Sequence, residues 1–118
     1  MNMLNLAYLG DSVYEVYIRK YLVTKINKKN CELQKLSLNF VSARSQRKHF
    51  EYLENNNLLT DDELDIIRRG RNTKGGKCKS ADIVTYRIAT GFECLFGQLY
   101  LDNNIERIEE LISLIIGE

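Results

Sequence analysis

Two carboxylates stand where carboxylates are costly. Asp11 lies beside a glycine in "NLAYLGDSVYEVYIRKYL", residues 5–22, a run that is apolar nearly all the way round. Glu93 sits in "IATGFECLFGQLYL", residues 88–101, where the only other ionisable groups are the weakly acidic Cys94 and Tyr100. A buried carboxylate costs on the order of several kcal/mol unless it is paired, hydrogen-bonded or bound to a cation. Glycine inside a helix costs about 1 kcal/mol relative to alanine, yet Gly10 adjoins Asp11, and Gly91 and Gly97 bracket Glu93. Missing side chains let two helices approach closely, so the spacing predicts one site shared by both acids. Two carboxylates suit a hard cation such as Mg²⁺, which keeps several waters and is commonly held by one or two carboxylates plus substrate phosphates. The competing reading is structural. Asp11, Glu15 and Arg19 fall at i, i+4, i+8 and could form a solvated stripe with a Glu15–Arg19 pair, and Arg87 or another cation at the core edge could satisfy Glu93.

A second feature concerns phosphate. "RRGRNTKGGKCK", residues 68–79, holds Arg68, Arg69, Arg71, Lys74, Lys77 and Lys79 with three glycines and no acid. Such a run repels itself until a polyanion meets it, and glycine lets backbone N–H groups approach phosphates. It leads into the segment bearing Glu93, so phosphate binding and a candidate metal-binding acid are expected on consecutive elements, with double-stranded nucleic acid as the natural partner. Arg44, Arg47 and Lys48 with His49, and Lys25, Lys28 and Lys29, are less specific basic groups. His49 has no nucleophile beside it and reads as an ordinary helix residue.

The elements that must position these groups are helices. Leu6, Leu9, Val13 and Val16 follow a 3,4,3 spacing, thickened by Tyr14, Tyr17, Ile18 and Tyr21 into an apolar cylinder. A second helix is expected from Cys31, capped by Asn30, with Leu33, Leu36 and Phe40 inward. Ser42 caps a third running to about Asn55, and Thr60 with Glu63 forms a capping box for a fourth carrying Leu64 and Ile67. Gly70, Gly75 and Gly76 predict a loop from about 70 to 79. Ser80 then caps the longest helix, from about Ala81 to Leu101, and Asn104 opens a last one with Ile105, Ile108, Leu111, Ile112 and Ile115 inside. No segment alternates like a strand, so an all-α domain of about six helices, spanning residues 1–118, is expected.

Bulk properties narrow the function classes. Seventeen Lys and Arg against sixteen acids leave any electrostatic message to local clustering. Three cysteines, Cys31, Cys78 and Cys94, are odd in number and include no CxxC, which fits neither a disulfide framework nor a zinc site. No apolar run reaches a membrane span and no secretory leader is visible, so a cytoplasmic protein without membrane partners is expected.

"LAYLGDSVYE" and "TGFECLFGQLYLD" together resemble the ribonuclease III catalytic domain. The combination of "LAYLGD", "RRGRN" (Arg68 to Asn72), "TYR" (Thr85 to Arg87) and "TGFE", in that order across the whole chain, resembles the Mini-ribonuclease III branch, which lacks a separate double-stranded-RNA-binding domain. The resemblance implies a homodimeric endonuclease with one metal-dependent site per subunit, each cutting one strand of an RNA duplex to leave a 5′-phosphate and a 3′-hydroxyl. Asp11 and Glu93 match two of the four acids in the family signature. The other two positions hold Ala7 and Thr90, as in the Mini-III branch, which implies one well-bound Mg²⁺, with Mn²⁺ as a substitute, and any second ion dependent on RNA phosphate. The arginines and lysines of residues 68–79 are the candidates for gripping RNA. Tyr8 is the expected dimer contact, against the alternative of a core tyrosine. A ribosomal RNA precursor of the large subunit is the implied substrate, with a ribosomal protein as a candidate further partner. The alternative is a catalytically silent RNA-binding or ribosome-associated module, for which the two missing acids argue.

Overall fold

In the computed structural model the described residues, 1–26, 28–73 and 82–116, form six helices and no strand. They are α1 (Met3–Lys25), α2 (Asn30–Val41), α3 (Ala43–Asn55), α4 (Asp61–Arg71), α5 (Ile83–Leu101) and α6 (Ile105–Ile116). The all-α expectation holds, and three of the expected helix starts hold with it. The Ser42 hydroxyl accepts from the Ser45 N–H, Thr60 and Glu63 form the reciprocal capping box, and α6 begins just after Asn104.

Two caps differ. Lys29, not Asn30, occupies the N-cap of α2, and its side chain makes no capping bond. Asp82 caps α5, its Oδ1 accepting from the Thr85 N–H at 2.8 Å. An aspartate closer to the apolar run outcompetes the expected Ser80, which lies outside the described residues together with Ala81. Gly70 also departs from expectation. It is buried inside α4, which continues to Arg71, because its bare backbone is needed against Gly91 and Cys94 of α5.

α5 is the central rod, in contact with α1, α3, α4 and α6. Phe92, Leu95 and Phe96 are completely buried on it. Tyr14 of α1 meets Phe92 and Phe96 edge-on at 5.8 and 5.1 Å, and Phe50 of α3 meets Phe92 at 6.4 Å. The Tyr14 hydroxyl donates to the Phe40 carbonyl at 2.7 Å, so its one polar atom is satisfied and the end of α2 is pinned to α1. Leu33, Leu36 and Phe40 pack against the core as expected, and Ile108, Leu111, Ile112 and Ile115 are buried within it.

On α1 the buried stripe centres on Gly10, Tyr14 and Ile18, with Leu6, Val13 and Leu22 beside it. Val16, expected to face inward, is 56% exposed. At about 100° per residue it stands roughly 200° from both Tyr14 and Ile18, on the far side of the helix.

α1 and α5 approach each other backbone to backbone. A Cβ on Gly10 would lie 1.7 Å from the Glu93 carbonyl oxygen, and one on Gly97 would lie 2.3 Å from the Leu6 carbonyl oxygen. Gly91, the other glycine bracketing Glu93, serves α4 instead, where its Cβ would meet the Ile67 carbonyl at 2.3 Å. Backbone cannot yield as a side-chain tip can, so Gly10→Ala forces the two helices apart. Urea unfolding should show a loss of about 3 kcal/mol or more, against less than about 0.5 kcal/mol for Ser12→Ala at an exposed position of the same helix.

Candidate functional site

The glycine contact carries Asp11 and Glu93 to one place. Both line a depression of about 280 Å³ together with Leu4, Ala7, Tyr8, Tyr86 and Thr90. Asp11 is exposed, while Glu93 is partly buried beneath it. Ala7 and Thr90, one turn before Asp11 and Glu93 on their helices, face the same depression. A wider concavity of about 370 Å³ lies between α1 and α2, but Arg19, Asn30 and Gln34 among leucines and Val23 there offer no pair of groups for chemistry.

The structural reading of the two acids holds only in part. Glu15 and Arg19 do pair, at 2.6 Å, without involving Asp11. Arg87 is exposed and does not reach Glu93. Instead Gln46 of α3 donates from Nε2 to Glu93 Oε2 at 3.3 Å, and among the described residues no ion pair includes either acid. Burial pushes the Glu93 pKa up to about 8, helped by the Asp11 carboxyl and opposed by the Gln46 bond. Burial and the neighbouring Asp11 thus favour the protonated form of Glu93.

The donor set decides which cation suits. Among the described residues no cluster of three or more His, Cys, Asp or Glu could cage a metal. The Thr90 hydroxyl is committed to the Tyr86 carbonyl at 2.9 Å. Two carboxylates, one solvated and one without an ion pair among the described residues, fit a hard divalent ion that retains waters and completes its shell with substrate oxygens. They do not fit a closed zinc-type site.

The basic groups are arranged differently from the expected loop. Arg68, Arg69 and Arg71 are exposed on the last turn of α4, where cations are also favoured by the helix dipole. An acid does offset them: Arg68 Nη2 donates to Asp65 Oδ1, and Arg69 Nε donates to Asp65 Oδ2 at 3.1 Å. These bonds, Arg68 foremost, hold the Asp65 carboxyl below its usual range. Lys74, Lys77 and Lys79 lie outside the described residues. Arg47 is a tie between helices, donating to Thr85 Oγ1 at 2.8 Å. His49 stacks on Phe40 at 5.4 Å, as an ordinary helix residue does. Tyr8 is 84% exposed, which excludes the core alternative.

Sequence reasoning missed Gln46 and Tyr86. Gln46 carries no local signal, because a glutamine in "SARSQRKHF" reads as surface. Tyr86 was visible only as part of "TYR".

The raised Glu93 pKa has a consequence for stability. Between the ordinary carboxylate range and about pH 8 the folded chain holds a proton that the unfolded chain has released. That stabilisation is complete at low pH and is lost as pH rises through 8. In EDTA, the wild type should lose on the order of 2 kcal/mol relative to Glu93→Gln between pH 5.5 and 8.5, read by urea unfolding. Parallel pH profiles for the two proteins would contradict it.

Residues 4–104 match the Ribonuclease III domain family. A Mini-ribonuclease 3 of Staphylococcus aureus is 44% identical over 117 residues, covering 98% of this chain and 87% of its own. One of Enterococcus faecalis is also 44% identical over 117 residues, covering 98% and 89%. The crystal structure of a Fusobacterium nucleatum protein matches with a TM-score of 0.86 and 28% identity over 99% of this chain and 94% of that one. The chain belongs to the ribonuclease III family, in its Mini-ribonuclease 3 branch, and is an endoribonuclease.

Proposed function

We propose that the chain hydrolyses phosphodiester bonds of double-stranded RNA as a homodimer, one strand per site, leaving a 5′-phosphate and a 3′-hydroxyl. The observation that supports this best is the meeting of Asp11 and Glu93, from two helices, in one depression, with no ion pair to either among the described residues. Asp11 and Glu93 would hold a divalent cation, Mg²⁺ or Mn²⁺, which when bound supplies positive charge to the scissile phosphate and acidifies water. Glu93 would hold the ion as its carboxylate, so affinity for the ion would rise with pH. Leu4 and Ala7 wall the depression with apolar surface, which strengthens the field of every charge inside it.

RNA duplexes are gripped chiefly through their phosphates and shape. Arg68, Arg69 and Arg71, with Lys74, Lys77 and Lys79, neutralise backbone phosphates, and the Asp65 bonds give way to them. Tyr8, exposed at the rim, is the contact between subunits. The resemblance to Mini-ribonuclease III directs the activity to a precursor of large-subunit ribosomal RNA, in the cytoplasm, with a ribosomal protein as candidate helper. No described helix is long and apolar enough to cross a membrane.

Ala7 and Thr90 favour a second reading, a silent RNA-binding module, and cleavage assays separate the two. With a long duplex and Mg²⁺, Asp11→Asn and Glu93→Gln should each cut at least about 100-fold more slowly while still binding RNA, and EDTA should stop the wild type. Cleavage without metal, or variants as active as wild type, would sink the metal site; an inactive wild type that binds RNA would favour the silent module. Replacing Arg68, Arg69 and Arg71 together by glutamine should weaken duplex binding and lower the slope of log K against log salt by roughly one for each phosphate no longer neutralised. An unchanged slope would remove these arginines from the interface.

A further inference from the structure

Gln46 is the polar side chain the catalytic reading leaves unexplained. It is 1% exposed, sits on the first turns of α3, and uses its amide nitrogen twice: to the Val41 carbonyl at 3.2 Å and to Glu93 Oε2 at 3.3 Å. Its Oε1 is buried with no hydrogen-bond partner. A buried amide serving only to fill the core would be expected to satisfy its acceptor as well. Here both donors are placed at the acceptor's expense, and one of them goes to the carboxylate.

The amide is held from two sides. Val41 ends α2, so the α2–α3 corner anchors one donor. Beside it, Arg47 fastens α3 to α5 through Thr85, about two turns before Glu93, and Thr85 Oγ1 in turn donates to Asp82 Oδ2 at 2.9 Å. α3 is thus clamped along α5, and the amide cannot turn without breaking both of its bonds.

Resting on the reading that Asp11 and Glu93 hold a divalent cation, we infer that Gln46 is a positioning residue for that site: its amide bonds Glu93 Oε2 and so holds the carboxyl in the depression it shares with Asp11. A neutral donor suits this task. An arginine or lysine there would orient the carboxylate equally well but would neutralise it and repel the ion. Partners that orient a ligand in this way are commonly worth about 10–100-fold in metal affinity or activity.

The test is Gln46→Met, which keeps the side-chain volume and removes the donor. Mn²⁺ binding to the RNA-free protein, followed by electron paramagnetic resonance, should weaken about tenfold or more. In duplex cleavage kcat should fall by a similar factor and recover in part at high Mg²⁺, with KM for RNA unchanged. Wild-type Mn²⁺ affinity and metal dependence in a folded Gln46→Met would overturn the inference. The wild-type protein gives an independent arm: the Gln46 side-chain amide resonances should shift on titration with Mg²⁺, with the midpoint of the binding isotherm. Resonances that stay put while Mg²⁺ binds would overturn it even if Gln46→Met does not fold. Asp11→Asn and Glu93→Gln separate this from the underlying reading. If they bind Mn²⁺ as the wild type does, the metal site itself fails; if they lose it and Gln46→Met does not, only the role of Gln46 fails.

Discussion

The structure depends on a backbone contact between α1 and α5. Gly10 rests on the Glu93 carbonyl and Gly97 rests on the Leu6 carbonyl, so the two helices meet backbone to backbone at the crossing. That approach turns Tyr14 into the ring cluster of Phe92 and Phe96, and it sets Asp11 over Glu93. Core and candidate site therefore come from one contact. The glycines lower helix propensity, and tertiary packing of two apolar helices makes up for it.

The chain treats Glu63 and Glu93 in opposite ways. Glu63 is gripped in bidentate fashion by Arg107, at 2.7 Å for both bonds, and accepts from the Thr60 N–H at 2.9 Å. Burial alone would raise its pKa, but the bonds from Arg107 and Thr60 prevail and lower it. Arg107 also donates to the Leu58 carbonyl, so the pair ties α6 to the turn before α4. Glu93 instead meets the neutral Gln46 amide and the Asp11 carboxyl, with no ion pair among the described residues, and burial leaves it with a raised pKa. Both acids sit on helices of one small domain, so the difference lies in their partners: the first is neutralised by Arg107, and the second keeps a perturbed pKa of the kind that marks candidate functional groups.

Much of this was legible in the residues. Helix periodicity, the Ser42 cap and the Thr60–Glu63 box placed the six helices to within a few residues, because local hydrogen bonding fixes where a helix starts. Asp11 and Glu93 stood out because acids beside glycines in apolar runs violate a local rule. What could not be read was which helix each glycine serves. Gly91 and Gly97 look alike in sequence, yet one faces α4 and the other α1, and Gly70 reads as a loop signal while being the α4 half of a helix contact. Gln46 was invisible for a related reason: its partner is supplied by the tertiary crossing of α3 and α5, and nothing nearby in sequence encodes it. Val16 shows the limit of a stripe read on a helix that is apolar on every side, since several faces fit the pattern equally well.

Ala7 and Thr90 complete the argument about charge. They line the same depression as Asp11 and Glu93, at the positions where the wider family signature has acids. Already with two carboxyls, burial and mutual repulsion raise Glu93 to about 8. Two further acids in 280 Å³ would each have to take up a proton or a cation before the helices could close, since like charges at this range disfavour ionisation. An apolar methyl at Ala7 and a hydroxyl spent on its own helix at Thr90 remove that demand. The metal-free domain can then close its α1–α5 contact by holding one proton at Glu93. On the proposed reading such a site would bring fewer ligands of its own, and a cation there would draw more of its shell from the substrate's phosphate oxygens.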